Sequence, residues 1–180
     1  MHALKRAAGP LREAGIPFVL GGGLACWARG AHESDHDVDL FLRPEDAERA
    51  AEALAAAGMR IERPPEGWLF KAYDGDVYVD LIFEPSSGPV DDEVFTRADE
   101  LVVRSVPMKV ASVTDVLAAK LLALTEQDPD YGDVLEIARA LREQIDWDRL
   151  RTVTDDSPFA RAFFTLVEGL QLVGQARSAR

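Results

Sequence analysis

Two carboxylates lie two residues apart in a stretch whose polar and apolar residues alternate, the run from Asp37 to Leu42 that reads DVDLFL. Alternation at period two predicts a β-strand, in which residues two apart point to the same face of a sheet. Asp37 and Asp39 therefore share a face that Val38 and Leu40 cannot occupy. Two negative charges this close are costly without a cation, because each raises the pKa of the other. The fold must bring both carboxylates to a place that a cation can reach.

A glycine turn precedes this strand. Residues 16–20 read as a short buried strand, Gly21-Gly22-Gly23 stop it, and residues 24–29 can form a helix. Backbone N–H groups of a glycine turn that opens a helix can approach phosphate oxygens closely, and Gly22 and Gly23 are the candidates. A triple glycine alone is more often a tight turn. Its place before an Asp-x-Asp strand favours a site in which carboxylates hold metal and amides hold phosphate.

A third carboxylate, Asp80, interrupts the strongly apolar run from Val77 to Phe83. If that strand lies beside the strand of Asp37 and Asp39, three carboxylates meet, enough to bridge two metal ions about 3.5–4 Å apart. Mg²⁺, or Mn²⁺ in its place, prefers such hard oxygen ligands. One ion would activate an acceptor hydroxyl and the other would hold a triphosphate. Asp80 is then a ligand of the hydroxyl-side ion or the general base.

The remaining pattern predicts an α+β protein in which a mixed β-sheet flanked by helices is followed by helices alone. Asp74-Gly75 is the hairpin signal between two of the strands, Ser112 or Thr114 is the expected N-cap of the first late helix, and Ser157 before Pro158 that of the last. Strands are predicted over 59–62, 68–73, 77–83, 101–106 and 108–110, and helices over 3–14, 44–57, 114–125, 131–144 and 158–175. We expect a core over residues 1–111 that carries the metal site, and a C-terminal helical region over 112–180 packed on it.

Composition limits the partners. The formal net charge is −12 at pH 7 without a basic tail, which argues against nonspecific binding to a nucleic-acid backbone and favours cations, including polycationic small molecules.

The single cysteine, Cys26, and the lack of Cys/His spacing typical of zinc sites indicate a reducing compartment. No apolar run approaches the ~20 residues that span a bilayer, and the charged start lacks the apolar stretch of a signal peptide. We predict a cytoplasmic protein with no membrane partner.

The order of these motifs resembles the DNA polymerase β-like nucleotidyltransferase superfamily, whose pattern is a Gly-Gly or Gly-Ser turn, then Asp-x-Asp, then a distant third Asp. Here these are Gly22-Gly23, Asp37-Val38-Asp39 and Asp80. The residues around them look like small bacterial members, including AbiEii/MenT-type toxins and the aminoglycoside and lincosamide nucleotidyltransferases. The resemblance implies a polymerase β-like core followed by a C-terminal helical bundle. It also implies an enzyme of the EC 2.7.7 class that uses a nucleoside triphosphate, with Asp37, Asp39 and Asp80 as metal ligands and catalytic residues.

The toxin-type members imply two further positions, a lysine on a helix after the sheet and an acidic residue on the next helix. Lys120 matches the first, and Asp130 or Asp133 the second. Lys120 would be catalytic and bind phosphate, neutralising charge in phosphoryl transfer, and the alternative is a lysine that snorkels at a helix edge. Ser34 could hydrogen-bond the phosphates, although a loop serine is more often a turn former. His36 alternates onto the face opposite the Asp pair and is interpreted as structural.

The acceptor stays open between two classes. RNA or the tRNA 3′ end, modified by a toxin that has a cognate antitoxin, is favoured by the helix around Lys120, and this is the hypothesis that we place first. A hydroxylated small molecule, such as an aminoglycoside-like antibiotic, is favoured by the acidic charge balance. A catalytically silent nucleotide-binding domain is the alternative from another class, although retaining three costly carboxylates speaks against it. A metal-dependent phosphoesterase is disfavoured because the His ligands are missing.

Overall fold

A computed structural model of the protein describes residues 2–32, 37–75 and 77–173. Within these residues seven strands form one mixed sheet. The strands are β1 (Val19–Leu20), β2 (Val38–Phe41), β3 (Arg60–Glu62), β4 (Leu69–Asp74), β5 (Val77–Ile82), β6 (Asp99–Val103) and β7 (Val106–Val110). Their order across the sheet is β3-β4-β5-β2-β1-β7-β6, so β2 lies at the centre.

Helices flank the sheet and then form the C-terminal region. They are α1 (His2–Glu13), α2 (Gly22–Ala28), α3 (Ala47–Ala56), α4 (Asp92–Arg97), α5 (Val113–Ala123), α6 (Gly132–Leu141), α7 (Trp147–Val153) and α8 (Pro158–Gly169). Short 3-10 turns precede α3 and follow α6, over Pro44–Asp46 and Arg142–Gln144. The predicted α+β class, a mixed sheet with flanking helices and then C-terminal helices, is confirmed.

Strand direction decides which residues become neighbours at the centre of the sheet. β1 pairs antiparallel with β2 and parallel with β7, whereas β2 pairs parallel with β5. In the β2–β5 register, Asp39 lies opposite Asp80 and Leu40 opposite Leu81. Leu40 and Leu81 are fully buried, and successive residues of a strand point to opposite faces. The sheet therefore presents an apolar face to the core and gathers the acidic residues on the other face.

Local signals define several of the boundaries. The Ser112 side chain accepts a hydrogen bond from the Asp115 N–H at the start of α5, and Ser157 accepts one from the Ala160 N–H at the start of α8. Ser112 is one of the two N-caps predicted for the first late helix, and the other candidate, Thr114, lies inside α5. Ser157 is the N-cap predicted for the last helix, and Pro158 occupies the first turn of α8. β4 and β5 form the predicted hairpin, since their register ends at the pair Asp74 and Val77.

One hydrophobic core joins the sheet to the C-terminal helices. Helices α1 and α3 pack on each other and against β5, while α5 packs on α2, α6, α7 and α8. Leu117 and Leu121 of α5 are fully buried. Helix α5 therefore links the later helices to the N-terminal part of the chain. None of the helices in the described ranges combines the length and apolarity needed to cross a membrane.

Some predicted boundaries are wrong. β1 has two residues rather than five, because the Ile16 N–H bonds to the Leu11 carbonyl and so closes the end of α1 instead of joining the sheet. Helices α4 and α7 were not predicted. Each is short and begins at an aspartate, Asp91 or Asp146, that accepts backbone hydrogen bonds. Helix α8 ends at Gly169, and the predicted end at residue 175 lies outside the described residues.

Candidate active site

The glycine corner between β1 and α2 is built against β2. The Gly21 N–H donates to the Asp39 carbonyl at 2.8 Å, and a Cβ on Gly21 would lie 2.7 Å from the Phe41 ring. A Cβ on Gly22 would lie only 1.7 Å from Asp39 Oδ2, and Gly22 has a φ of +56°. Only glycine fits at position 22, both for the backbone conformation and for the approach of the carboxylate.

The acidic face combines two neighbouring strands. β5 lies beside β2, so Asp80 is the lateral neighbour of Asp39. Asp37 immediately precedes β2, and the Tyr78 hydroxyl of β5 donates a hydrogen bond to Asp37 Oδ2 at 2.5 Å. Residues side by side on paired strands share a face. The three carboxylates predicted from the sequence therefore lie on one face, and Tyr78 lies among them.

A lysine that the sequence did not single out also belongs to this face. Lys71 Nζ on β4 donates to both oxygens of Asp80, at 2.9 Å and 3.2 Å, and lies 4.4 Å from the centre of the Tyr78 ring. The Asp80 side chain is only 13% exposed. The hairpin register pairs Lys71 directly with Asp80. Counting back from the Asp74-Gly75 turn is the sequence signal that could have found this contact.

The electrostatics single out Asp39. Burial and the neighbouring Asp80 raise the pKa of the half-buried Asp39 carboxyl to about 7, and Lys120 and Lys71 oppose that rise only in part. The pKa of Asp39 is thus shifted by burial and by neighbouring charges, and not by a hydrogen bond donated to its carboxyl group. Burial also raises the pKa of Asp80, against the hydrogen bond from Lys71. Asp39 thus lies close to two lysines and two carboxylates, and no residue in the described part of the chain donates a hydrogen bond to its side chain.

Lys120 reaches the same region from α5. Its Nζ donates to Asp133 Oδ2 on α6 at 2.6 Å, and its side chain is 31% exposed. Its charge lowers the pKa of Asp39. Of the two acidic candidates on the following segment, Asp133 makes this ion pair, whereas the exposed Asp130 accepts a hydrogen bond from the Gly132 N–H at 2.8 Å. Asp130 therefore helps to form the start of α6, and Asp133 is the acidic residue that meets Lys120.

A small cleft of about 80 Å³ adjoins the glycine corner. Gly23, Cys26 and His32 line one side, and Asp133 and Glu136 line the other. Burial raises the pKa of the Cys26 thiol to about 12, so this cysteine stays a thiol at neutral pH and is not a nucleophile.

A larger cleft of about 170 Å³ lies between the segment around Pro89 and helices α4, α5 and α7. Arg97, Asp115 and Arg149 line it, and Phe41 reaches its wall. No side chain of the acidic face lines this cleft. This cleft is therefore separate from the three carboxylates.

The carboxylates fit a divalent cation by their chemistry. Hard oxygen donors on adjacent strands are the ligands that Mg²⁺ prefers, and a cation would favour the ionised form of Asp39, which burial disfavours. Across residues 2–32, 37–75 and 77–173, no three His, Cys, Asp or Glu side chains are gathered as a ready metal site. Asp37 and Asp80 are each engaged by a protein donor, Tyr78 and Lys71. Ser34 and His36 lie outside the described residues.

Comparison with known proteins gives a family and a fold. A family model described as a nucleotidyl transferase of unknown function (DUF2204) matches residues 1–158. The solution structure of the antibiotic-resistance factor ANT(2″)-Ia is similar, with a TM-score of 0.62, 18% sequence identity, and coverage of 93% of this chain and 94% of that one. The search of curated proteins finds no match.

Two further solved structures are similar. The lincosamide antibiotic adenylyltransferase LnuA, in its lincomycin-bound form, has a TM-score of 0.53 and 14% identity, over 84% of this chain and 96% of that one. The nucleotidyltransferase TM1012 from Thermotoga maritima, described as putative in its own report, has a TM-score of 0.51 and 14% identity, over 93% of this chain and 90% of that one. These likenesses show that the sheet and its helices have a nucleotidyltransferase fold.

Proposed function

This chain belongs to the DUF2204 family of nucleotidyl transferases, and we propose that it transfers a nucleoside monophosphate from a nucleoside triphosphate to a hydroxylated acceptor at the face formed by Asp37, Asp39 and Asp80. The observation that carries the proposal is the position of Asp39, which lies beside Asp80 on a parallel strand and against the glycine corner at Gly22. In the polymerase β-like superfamily that the motifs resemble, these are the positions of the metal-binding carboxylates and of the phosphate-binding turn.

We assign the metal to the carboxylates. Asp37, Asp39 and Asp80 would hold Mg²⁺, or Mn²⁺ in its place. When bound, such an ion neutralises phosphate charge and lowers the pKa of an acceptor hydroxyl. In the transfer, the acceptor oxygen forms a bond to the α-phosphorus, the bond from that phosphorus to the bridging oxygen breaks, and pyrophosphate leaves. Asp80 takes the hydroxyl proton.

The remaining assignments concern the triphosphate. The backbone N–H groups of Gly22 and Gly23 lie at the corner beside Asp39 and would bind phosphate oxygens. Lys120 would supply positive charge to the triphosphate, with Asp133 holding its ammonium group in place. Ser34 remains an expected phosphate contact. On this proposal, residues 1–111 carry the metal site, and the helical region over 112–180 contributes Lys120.

We propose a hydroxylated, cationic small molecule as the acceptor. Asp133 and Glu136 line the cleft next to the glycine corner, and the chain carries a net charge of −12, which attracts cations and repels a phosphate backbone. ANT(2″)-Ia in complex with adenylyl-2″-tobramycin and LnuA with lincomycin are relatives in fold that act on antibiotics. A toxin of the AbiEii/MenT type, acting on RNA or the tRNA 3′ end and held by a cognate antitoxin, is the second candidate. It is favoured because Lys120 and Asp133, which match the two further positions that this resemblance implies, contact each other.

The test is transfer of label. Purified protein is incubated with Mg²⁺, each of four triphosphates labelled at the α-phosphate, and either an aminoglycoside and lincosamide panel or total tRNA. We expect the wild type to transfer label to a small molecule and Asp39→Ala to transfer none. Asp99→Ala is the matched control and should show full transfer, because Asp99 lies on edge strand β6 and its side chain is 65% exposed. Equal background with wild type and Asp39→Ala would contradict catalysis at this face.

Growth separates the two acceptors. Expression that confers antibiotic resistance supports the small-molecule acceptor, and expression that arrests growth supports the toxin. In either case the effect should disappear in Asp39→Ala and persist in Asp99→Ala.

A further inference from the structure

Asp80 already has a cation in this structure. The Lys71 ammonium contacts both of its carboxylate oxygens, at 2.9 Å and 3.2 Å. Both side chains are shielded from water, with exposed fractions of 25% for Lys71 and 13% for Asp80. A metal ion that used Asp80 as a ligand would lie within a few ångströms of the Lys71 ammonium, and two positive charges this close repel each other. The two cations therefore compete for Asp80.

Lys71 is suited to such an exchange. Its ammonium is a point charge on a flexible four-carbon stem, unlike the rigid fork of arginine. It lies over the Tyr78 ring at 4.4 Å, and Tyr78 in turn holds Asp37. The displaced ammonium does not have to move into water. The metal enters together with a triphosphate, and the negatively charged phosphates are the next partner of Lys71.

We propose that Lys71 is a counter-cation that neutralises Asp80 in the metal-free protein, is displaced when a metal binds that carboxylate, and then binds the triphosphate. The inference rests on the proposed metal site at Asp37, Asp39 and Asp80. It adds a second phosphate-binding lysine, on β4, to Lys120 of α5. It also gives the nucleotide-free protein a low affinity for metal, so that metal and triphosphate bind together.

The competing explanation is structural. Lys71 and Asp80 form a cross-strand pair of the β4–β5 hairpin, and such pairs stabilise a sheet by roughly 0.2–1 kcal/mol. A purely structural pair would not change the affinity for metal. Metal binding by the nucleotide-free protein therefore separates the two explanations.

The experiment measures binding of Mn²⁺ to nucleotide-free protein by the electron paramagnetic resonance signal of free Mn²⁺. We expect Lys71→Met to bind Mn²⁺ roughly ten-fold more tightly than the wild type, since removing a partly buried cation frees a carboxylate. Lys71→Arg, which keeps a cation on Asp80, should bind as weakly as the wild type. Lys5→Met removes an exposed lysine of α1 and should change nothing. Lys71→Gln replaces Lys71→Met if thermal unfolding shows that the latter is misfolded.

Kinetics give the second measurement. With Mn²⁺ saturating, Lys71→Met should raise the KM for the triphosphate by roughly ten-fold, the size of one lost charge-assisted phosphate contact, while Lys5→Met leaves it unchanged. Wild-type affinity for Mn²⁺ in Lys71→Met, or an unchanged KM, overturns the inference. The proposed function fails instead if neither the wild type nor Lys71→Met binds Mn²⁺, or if Asp39→Asn binds it as well as they do.

Discussion

Asp39 and Asp115 are both withdrawn from solvent, yet their surroundings shift their pKa values in opposite directions. Burial raises the pKa of Asp39 to about 7, and its carboxylate neighbours add to the rise. Burial acts on Asp115 in the same sense, but hydrogen bonds from Arg97, Ser112 and Arg149 outweigh it and lower the pKa. The donors lie at 3.0 Å and 3.1 Å for Arg97, 2.6 Å for Ser112 and 2.7 Å for Arg149.

The difference separates a structural carboxylate from a binding one. Asp115 obtains its countercharge from the chain itself and so ties α4, α5 and α7 together. Asp39 lies close to Asp80 and Asp37, whose negative charges raise its pKa, and its nearest positive charges, Lys120 and Lys71, offset that rise only in part. A buried charge is tolerated only when it is paired. A buried acid that the chain leaves unpaired is therefore a candidate for a ligand, and the following variants test that distinction.

The largest change in stability should come from Asp115→Ala. It leaves Arg97 and Arg149 facing one another without their shared anion, and losing one partner of a buried ion pair costs about 3 kcal/mol or more. We expect a loss of this size in the free energy of unfolding, measured in urea by circular dichroism. Asp99→Ala, which breaks the more exposed pair with Arg29, should cost under ~1 kcal/mol. Equal losses would mean that Asp115 is not a structural anchor.

The second-largest loss of stability should come from a substitution in the glycine corner. Gly22→Ala places a methyl group 1.7 Å from Asp39 Oδ2 at a φ of +56°, whereas Gly30→Ala has a φ of +109° and open space around its Cβ. Backbone strain alone costs roughly 1–2 kcal/mol. We expect Gly30→Ala to lose about that much stability and to keep its transfer activity, and Gly22→Ala to lose more and to be inactive. Similar behaviour of the two variants would show that the contact with Asp39 is unimportant.

Asp39→Asn should increase stability in metal-free protein. The pKa of this carboxyl rises from 3.8 to about 7 on folding, so its favourable contribution is complete below pH ~4 and is lost as pH rises through ~7. At pH 8 with chelator we expect Asn at this position to raise the free energy of unfolding by roughly 1–3 kcal/mol. The gain should vanish below pH 4. Urea titrations at pH 3.5, 6 and 8 measure it, and a gain that is independent of pH would exclude Asp39 as its source.

The smallest effect should come from Tyr78→Phe. The Tyr78 hydroxyl donates to the exposed Asp37, and that bond raises the pKa of Tyr78 to about 12. Loss of one exposed hydrogen bond costs at most ~1 kcal/mol. We expect near-wild-type stability together with a Mn²⁺ affinity changed by a few-fold, compared with Tyr73→Phe as the control on β4. A loss of stability as large as that of Asp115→Ala would make Tyr78 part of the core.

Local pattern predicted much of this fold. The alternation from Asp37 to Leu42 predicted β2, and the apolar run around Asp80 predicted β5. The Asp74-Gly75 turn predicted the hairpin of β4 and β5. Each of these signals lies within a few residues of the chain. The sequence pattern did not predict the two short helices α4 and α7. Helices α4 and α7 have six and seven residues, too few for a periodic apolar face to be distinguished from a loop.

The contacts of the site were harder to predict than its carboxylates. Asp80 was predicted as a site residue because a charge in an apolar strand is costly, and the sequence shows that cost. Lys71 and Tyr78 were not predicted, because their contacts with the carboxylates depend on the register between strands. The choice between Asp130 and Asp133 depended on where α6 begins, at Gly132, and so on which of the two turns toward Lys120.

The sequence by itself revealed a glycine turn and three costly carboxylates in stretches with strand patterns, in a chain whose negative charge favours cations. Periodicity and burial cost are local properties, and a single chain reveals them. Only the tertiary structure decided which positive groups the acidic side chains meet: Lys71 on Asp80, two arginines on Asp115, and, within the described residues, no hydrogen-bond donor on Asp39. Strand register and helix packing set those distances between residues far apart in the chain, and electrostatic energy depends on distance in space.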